Sequence, residues 1–182
     1  LEHSTGHQVV LVNEQDQETG LLEKHEAHRK GLLHRAFSVF VFNSRGELLL
    51  QRRAFGKYHS EGLWTNTCCS HPYPGEETIA AAKRRLHEEM GLTSELQAVF
   101  SFIYQAKLDN GFIEHEFDHV LVGFSDETPH LDTSEAMSFK WMNLDDIQKS
   151  IRKSPSLYTE WFKIILNEYA AYLTATITHE SL

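Results

Sequence analysis

Apolar residues in this chain fall into short runs and periodic stretches, and the period of each predicts an element. Gln8 to Asn13 is a short apolar run and predicts a strand; the polar NEQDQETG after it predicts a loop ending at Gly20. Arg35 to Phe42, leading into FSVFVFN, is apolar on both faces, as expected of a strand buried between two layers. Asn43-Ser44-Arg45-Gly46 is a turn, so Glu47 to Arg53 is expected to fold back as the hairpin partner and form the core of a sheet that Leu63 to Thr67 re-enters. Glu76 to Met90 contains neither Pro nor Gly and carries Ile79, Ala82, Leu86 and Met90 at spacings of three and four, which predicts a helix with one buried stripe, ended by Gly91. Ala98 to Leu108 and Phe112 to Phe124 read as two strands joined at Asp109-Asn110-Gly111. Met137 to Met142 reads as a last strand, Asn143 as the cap of a short helix to about Arg152, and Leu157 to about Thr174 as an amphipathic helix carrying Trp161 and Phe162. The expected class is α+β, a mixed or antiparallel central sheet flanked by helices.

Composition narrows the setting. A chain of 182 residues, 41% hydrophobic and 11% aromatic, suits one globular domain, and no repeat, low-complexity tract or linker divides it. A formal charge of −9 argues against non-specific binding to nucleic acid or an anionic membrane. Cys68 and Cys69 are the only cysteines, and as neighbours they cannot staple distant segments, so a reducing cytoplasm is the expected compartment. No apolar run has the length of a membrane span, and no secretory signal is visible. The first residues, LEHSTGH, are expected to be a cloning remnant or frayed end, so His3 and His7 enter no site.

Candidate chemistry concentrates in residues 65–92, TNTCCSHPYPGEETIAAAKRRLHEEMGL. Arg85 and Glu89 are four apart on one helix face with Glu88 beside them, and they converge on a turn that carries Cys69 and His71. A solvated surface pair is the ordinary meaning of such spacing. Arg52, Arg53, Lys57, Lys83, Arg84 and Arg85 flank the segment and would suit a small anionic ligand, although Lys83 and Arg84 need be no more than a solvated face. His25, His28 and His34 fall within ten residues. Glu114, Glu116 and Asp118 alternate along one strand face, which means either a solvent face or metal ligation.

The central string resembles the Nudix box, G-x5-E-x7-R-E-U-x-E-E-x-G-U with U aliphatic, through Glu76, Arg84, Leu86, Glu88, Glu89, Gly91 and Leu92. Ser70 replaces the first glycine, and Arg85 stands where Nudix hydrolases have a metal-binding glutamate. A guanidinium there repels a cation and attracts a phosphate oxygen. With GLLHRAFSVF, TNTCCSHP and the strand EHE in this order, residues 8–165 resemble type I isopentenyl-diphosphate isomerases. The resemblance implies interconversion of isopentenyl and dimethylallyl diphosphate through a tertiary carbocation, with a small isoprenyl diphosphate as the partner and neither nucleic acid nor membrane involved. It implies catalytic roles for Cys69, Glu116, Tyr104 and Trp161, with Cys68 as packing. It implies a three-His, two-Glu site for Mn²⁺, Mg²⁺, Zn²⁺ or Fe²⁺ made by His28, His34, His71, Glu114 and Glu116, with His25 an alternative to His28. It also implies Mg²⁺ on the diphosphate with Glu89, and anion binding by Lys24, Arg53, Lys57 and Arg85. A Nudix pyrophosphohydrolase and a non-catalytic metal-binding module are the alternatives; the oligomeric state is left open.

Overall fold

The computed structural model describes residues 8–180, so the expected remnant at 1–7 lies outside the described residues. The chain opens on a hairpin in which β1 (Gln8–Val12) pairs antiparallel with β2 (Glu18–Glu23). The expected loop through Gly20 is corrected here. Asp16 adopts a left-handed φ of 59°, and Asn13 Oδ1 accepts from the backbone N–H of Gln15 and Gln17 at 3.0 Å, so the turn closes early and polar residues enter an edge strand. Next comes α1 (Lys24–Lys30), which hydrophobic period does not reveal. Glu23 caps it by accepting from the Glu26 N–H at 2.9 Å, and Gly31 closes it at φ 64°. Its two turns set Lys24 and His28 on one face.

β3 (His34–Phe42) is buried along nearly all its length, as its two-sided apolar pattern predicts. It is followed by β4 (Leu48–Arg53), β5 (Trp64–Thr65), β6 (Cys68–Ser70) and α2 (Thr78–Met90). The rest is β7 (Leu96–Lys107), β8 (Ile113–Phe124), β9 (Ala136–Met142), α3 (Leu144–Lys153), α4 (Glu160–Glu168) and α5 (Ala170–Glu180). Among the described residues these strands form one mixed sheet. The expected β3–β4 hairpin is corrected: the two strands pair only at Phe42 and Leu48. Thr67 lies between them, its hydroxyl accepting from the Val41 N–H at 2.9 Å and donating to the Leu49 carbonyl at 2.7 Å. β3 instead runs parallel to β8 over its whole length and antiparallel to β6, while β4 pairs with β9.

The sheet is covered on both faces. Phe37, Val39, Val41 and Leu121 meet Ala81, Ala82, Leu86 and Met90 of α2. Phe40, Phe42, Val120 and Val122 meet Ile147 of α3 and Phe162, Ile165 and Leu166 of α4 on the other side. The predicted stripe on α2 needs one correction: Ile79 is 41% exposed, and Ala81 and Glu89 are buried in the helix face that includes Ala82. The predicted C-terminal helix is also divided. A 3-10 turn covers Pro155–Leu157, and Tyr169, at φ −125° and ψ 8°, breaks α4 from α5 while its ring stacks on Phe100 at 4.9 Å.

Candidate active site

The site lies at the polar end of the face covered by α4. On β8 the strand alternation aligns Glu114, Glu116 and Asp118 with Val120 and Val122, and the parallel register sets His34 beside Glu116 and Ser38 beside Val120. The three carboxylates are not a solvent face: Glu114 is 2%, Glu116 8% and Asp118 0% exposed. Ser38 donates to Asp118 Oδ2 at 2.7 Å, and burial, followed by the nearby Glu116 charge, holds the Asp118 carboxyl well above its usual range.

Four imidazoles surround Glu114 and Glu116. His28 Nδ1 lies 2.6 Å from the Lys24 carbonyl and His34 Nδ1 2.8 Å from the Leu32 carbonyl, contacts that place each proton on Nδ1 and leave each Nε2 with a lone pair directed inward. His34 Nε2 faces His71 Nε2 at 3.2 Å and Glu116 Oε1 at 3.6 Å, and His71 Nε2 is 3.0 Å from the same oxygen. His28 Nε2 is 3.2 Å from Glu114 Oε2, a buried oxygen that accepts no hydrogen bond. Acceptors at such distances, away from water, need a positive charge between them. Burial lowers the proton affinity of His28, but the adjacent Glu114 carboxylate raises it more, which is the same demand expressed as a proton. The ligand-capable atoms of His28, His34, His71 and Glu116 all lie within 4.8 Å of one another, as do those of His28, His59 and Glu114. This donor set fits a divalent metal ion. His25, the alternative to His28, is half exposed beside Glu23 and outside both groups. His59 is an addition that period and motif reading missed; its Nε2 lies 2.8 Å from Glu114 Oε1.

The predicted catalytic side chains share one cleft, open to solvent, with Cys69, Tyr104, Glu116 and Trp161 among its walls. Tyr104 donates its hydroxyl to Glu116 Oε2 at 2.8 Å across the β7–β8 pair. The strand β6 sends its two thiols to opposite faces: Cys68 is fully buried against α2, and Cys69 lines the cleft. Burial pushes the Cys69 thiol up to about 12, so it stays protonated at neutral pH. Trp161 reaches the cleft from α4, its indole N–H donating to Asn66 Oδ1 at 3.2 Å. Asn66 is itself fixed, since its amide donates to the Val39 and Cys68 carbonyls at 3.1 and 2.9 Å.

Lys24, Arg53, Lys57 and Arg85 are all in the wall of the same cleft, with the Arg53 guanidinium 5.4 Å from the centre of the Trp161 ring. Burial, followed by the Lys57 charge, lowers the Lys24 pKa. Arg53 donates to the Ser60 and His59 carbonyls at 3.2 Å and thereby ties down the loop that carries His59. Arg85 pairs with Glu88 at 2.8 Å and with Glu89, and Glu135, a residue without a sequence signal, bridges Arg85 at 3.3 Å to Lys57. Burial disfavours the charge of Arg85 and Glu89 restores it, leaving its pKa raised. Glu89 is buried and accepts from Gln51 Nε2 at 2.9 Å. Outside the cleft, Arg84 holds Glu76 through two bonds of 2.8 and 2.9 Å, and this bracket closes the loop before α2 onto the helix.

A sheet with α2 against one face and the Glu76–Arg84 bracket at its entrance defines a Nudix domain, and the NUDIX domain family model matches residues 32–162. In fold the chain is similar to the crystal structure of DR0079 from Deinococcus radiodurans, with TM-score 0.74 and 20% identity over 89% of this chain and 99% of that one. It is similar also to the MutT protein from Methanosarcina mazei, with TM-score 0.64 and 17% identity over 76% and 94%. In sequence it is 49% identical to an isopentenyl-diphosphate Delta-isomerase of Pectobacterium atrosepticum over 96% of this chain and 97% of that protein. It is 52% identical to isopentenyl-diphosphate Delta-isomerase 2 of Aromatoleum aromaticum over 88% and 85%. The chain belongs to the isopentenyl-diphosphate Delta-isomerase family of Nudix proteins. Among the described residues no helix is long and apolar enough to cross a membrane.

Proposed function

We propose that this protein interconverts isopentenyl diphosphate and dimethylallyl diphosphate by adding one proton to the alkene and removing another from the neighbouring carbon. The observation that carries the reading is the convergence of Tyr104, Glu116, Cys69 and Trp161 on a cleft that Lys24, Arg53, Lys57 and Arg85 also line. An unactivated alkene is a very weak base, so its protonation needs a positioned acid, exclusion of water and stabilisation of a tertiary cation. Lys24, Arg53, Lys57 and Arg85 take the diphosphate, which leaves the short hydrocarbon directed toward the thiol and the carboxyl. Cys69 and the Tyr104–Glu116 pair exchange protons with the substrate, one giving and the other receiving, so that the reaction ends with no net change in protonation. The Trp161 ring faces the developing positive charge, and its indole N–H, held by Asn66, fixes the plane of that ring.

The metal belongs to the same proposal. His28, His34, His71, Glu114 and Glu116 would hold one divalent ion, and Glu89 would share Mg²⁺ with the diphosphate. A bound divalent ion supplies positive charge that lowers the proton affinity of Glu116 and secures its orientation. Incubation of the protein with isopentenyl diphosphate in D₂O, followed by NMR, is expected to give deuterated dimethylallyl diphosphate. Release of inorganic phosphate or pyrophosphate without allylic product would instead support the pyrophosphohydrolase alternative, to which Arg85 is opposed by charge.

A further inference from the structure

We propose that His59 is a positioning residue that fixes which oxygen of Glu114 faces the metal, and that it is not itself a ligand. The inference rests on the metal reading above and extends it to a residue outside the expected ligand set. His59 comes from the loop between β4 and β5, is 7% exposed, and directs Nε2 at Glu114 Oε1 from 2.8 Å. Its Nδ1 lies 3.1 Å from the Ser60 hydroxyl, and with that hydroxyl as the donor the ring proton sits on Nε2, facing the carboxylate. The two Glu114 oxygens are therefore unlike. Oε1 is paired with His59 Nε2 at 2.8 Å, whereas Oε2 is the buried oxygen with no hydrogen bond, 3.2 Å from His28 Nε2. One oxygen tethered and one left for the ion is the arrangement that holds a carboxylate to a single-oxygen contact.

The placement of His59 is itself over-determined. Its backbone carbonyl accepts from Arg53 Nη2 at 3.2 Å, and its ring stands edge-on to Trp161 with centroids 5.9 Å apart. The aromatic wall of the cleft and the metal cluster thus meet at this one imidazole. A shift of His59 moves both the tether on Glu114 and the edge of the indole, so metal loading and indole orientation are coupled through it.

Two substitutions separate positioning from ligation. His59→Gln retains an N–H near the Nε2 position and offers no imidazole nitrogen, whereas His59→Leu removes the donor altogether. The probes are Zn²⁺ affinity by chelator competition and the visible spectrum of the Co²⁺-substituted protein. Positioning predicts that His59→Gln keeps the wild-type Co²⁺ spectrum and Zn²⁺ affinity within about threefold, while His59→Leu binds Zn²⁺ about 10- to 100-fold more weakly. A changed Co²⁺ spectrum in His59→Gln, with the affinity loss of the Leu variant, would make His59 a ligand and overturn the proposal. Unchanged affinity in His59→Leu would overturn it too, leaving His59 a packing residue. Failure of the wild-type protein to bind Zn²⁺ or Co²⁺ would instead overturn the underlying metal reading.

Discussion

Replacing Asn66 tests whether the sheet and the reacting cleft share one scaffold. Its side chain donates to the Val39 and Cys68 carbonyls and accepts from the indole of Trp161, all in the buried interior. Asn66→Ala strands those three groups, and also removes the acceptor of the Thr65 hydroxyl at 2.9 Å, which keeps the Thr159 hydroxyl at 2.8 Å as a partner. At about 1 kcal/mol for each lost bond, and somewhat more for a buried group left unpaired, the expected loss is about 3 to 4 kcal/mol. That is a large share of the roughly 5 to 15 kcal/mol by which ordinary domains are stable, so the variant should fold in buffer and unfold early in urea. Asn66→Asp sharpens the test, because it keeps an acceptor for the indole but sets a carboxylate oxygen against two carbonyls. The introduced carboxyl would have a raised pKa in the folded state, so stability should recover as pH falls and its O–H again reaches a carbonyl. Urea titration read by tryptophan fluorescence gives both numbers. A loss under about 1 kcal/mol for Asn66→Ala, or a pH-independent deficit for Asn66→Asp, would refute this account of the buried amide.

Cys69→Ser should lower turnover by orders of magnitude, since a hydroxyl is a much poorer acid than a thiol, while Cys68→Ser, on the α2 side of the sheet, should change turnover little; equal losses in a steady-state assay would sink the assignment. Trp161→Phe and Trp161→Leu should order turnover as Trp, Phe, Leu with smaller changes in KM; equal rates for Phe and Leu at matched folded fraction would make Trp161 packing alone. Glu76, whose pKa is lowered mainly by the hydrogen bond from Arg84, contributes stability that is present above the unfolded value near 4.3 and lost as pH falls through the lower folded value. Glu76→Gln should therefore cost about 1 kcal/mol at pH 7, and in thermal melts the gap from wild type should close in acid; a gap constant from pH 7 to below 3 would contradict the ion pair.

What the sequence revealed, and what it hid, follows from the range of each interaction. β3, β8, β9 and the Asn143 cap are local statements, written in alternation or in one side chain reaching three residues ahead, and all are present. The partner of β3 is not local. Two-sided apolar strands allow several pairings; Thr67 bridges β3 and β4 in place of a continued hairpin, while β8 pairs with β3 in parallel. α1 was hidden because its seven residues are too polar and too short to show a period, although the Glu23 cap and Gly31 bracket it. In the site, the motif residues could be named because they recur as strings in the resemblance. His59 and Glu135 lie in loops where neither alternation nor helical spacing operates, and only the folded chain brings each to its partner.

Arg85 explains why a Nudix helix need not do Nudix hydrolysis. The helix still carries its entrance bracket, since Arg84 and Glu76 lie outside the cleft and only close the loop. One residue later the side chain points to the cleft, and a guanidinium there pairs with Glu88, Glu89 and Glu135 together. Those carboxylates are thereby partly neutralised from within, which weakens their hold on a cluster of cations. The strongest unmet demand for positive charge lies instead at Glu114 and Glu116, on β8 and away from α2, among imidazoles that α1, β3 and the β6 segment deliver. On the proposed function, the helix would keep the anion end of the substrate while proton chemistry lies at the strand end. On the same proposal, a cation at position 85 favours diphosphate binding over a cluster of cations on α2.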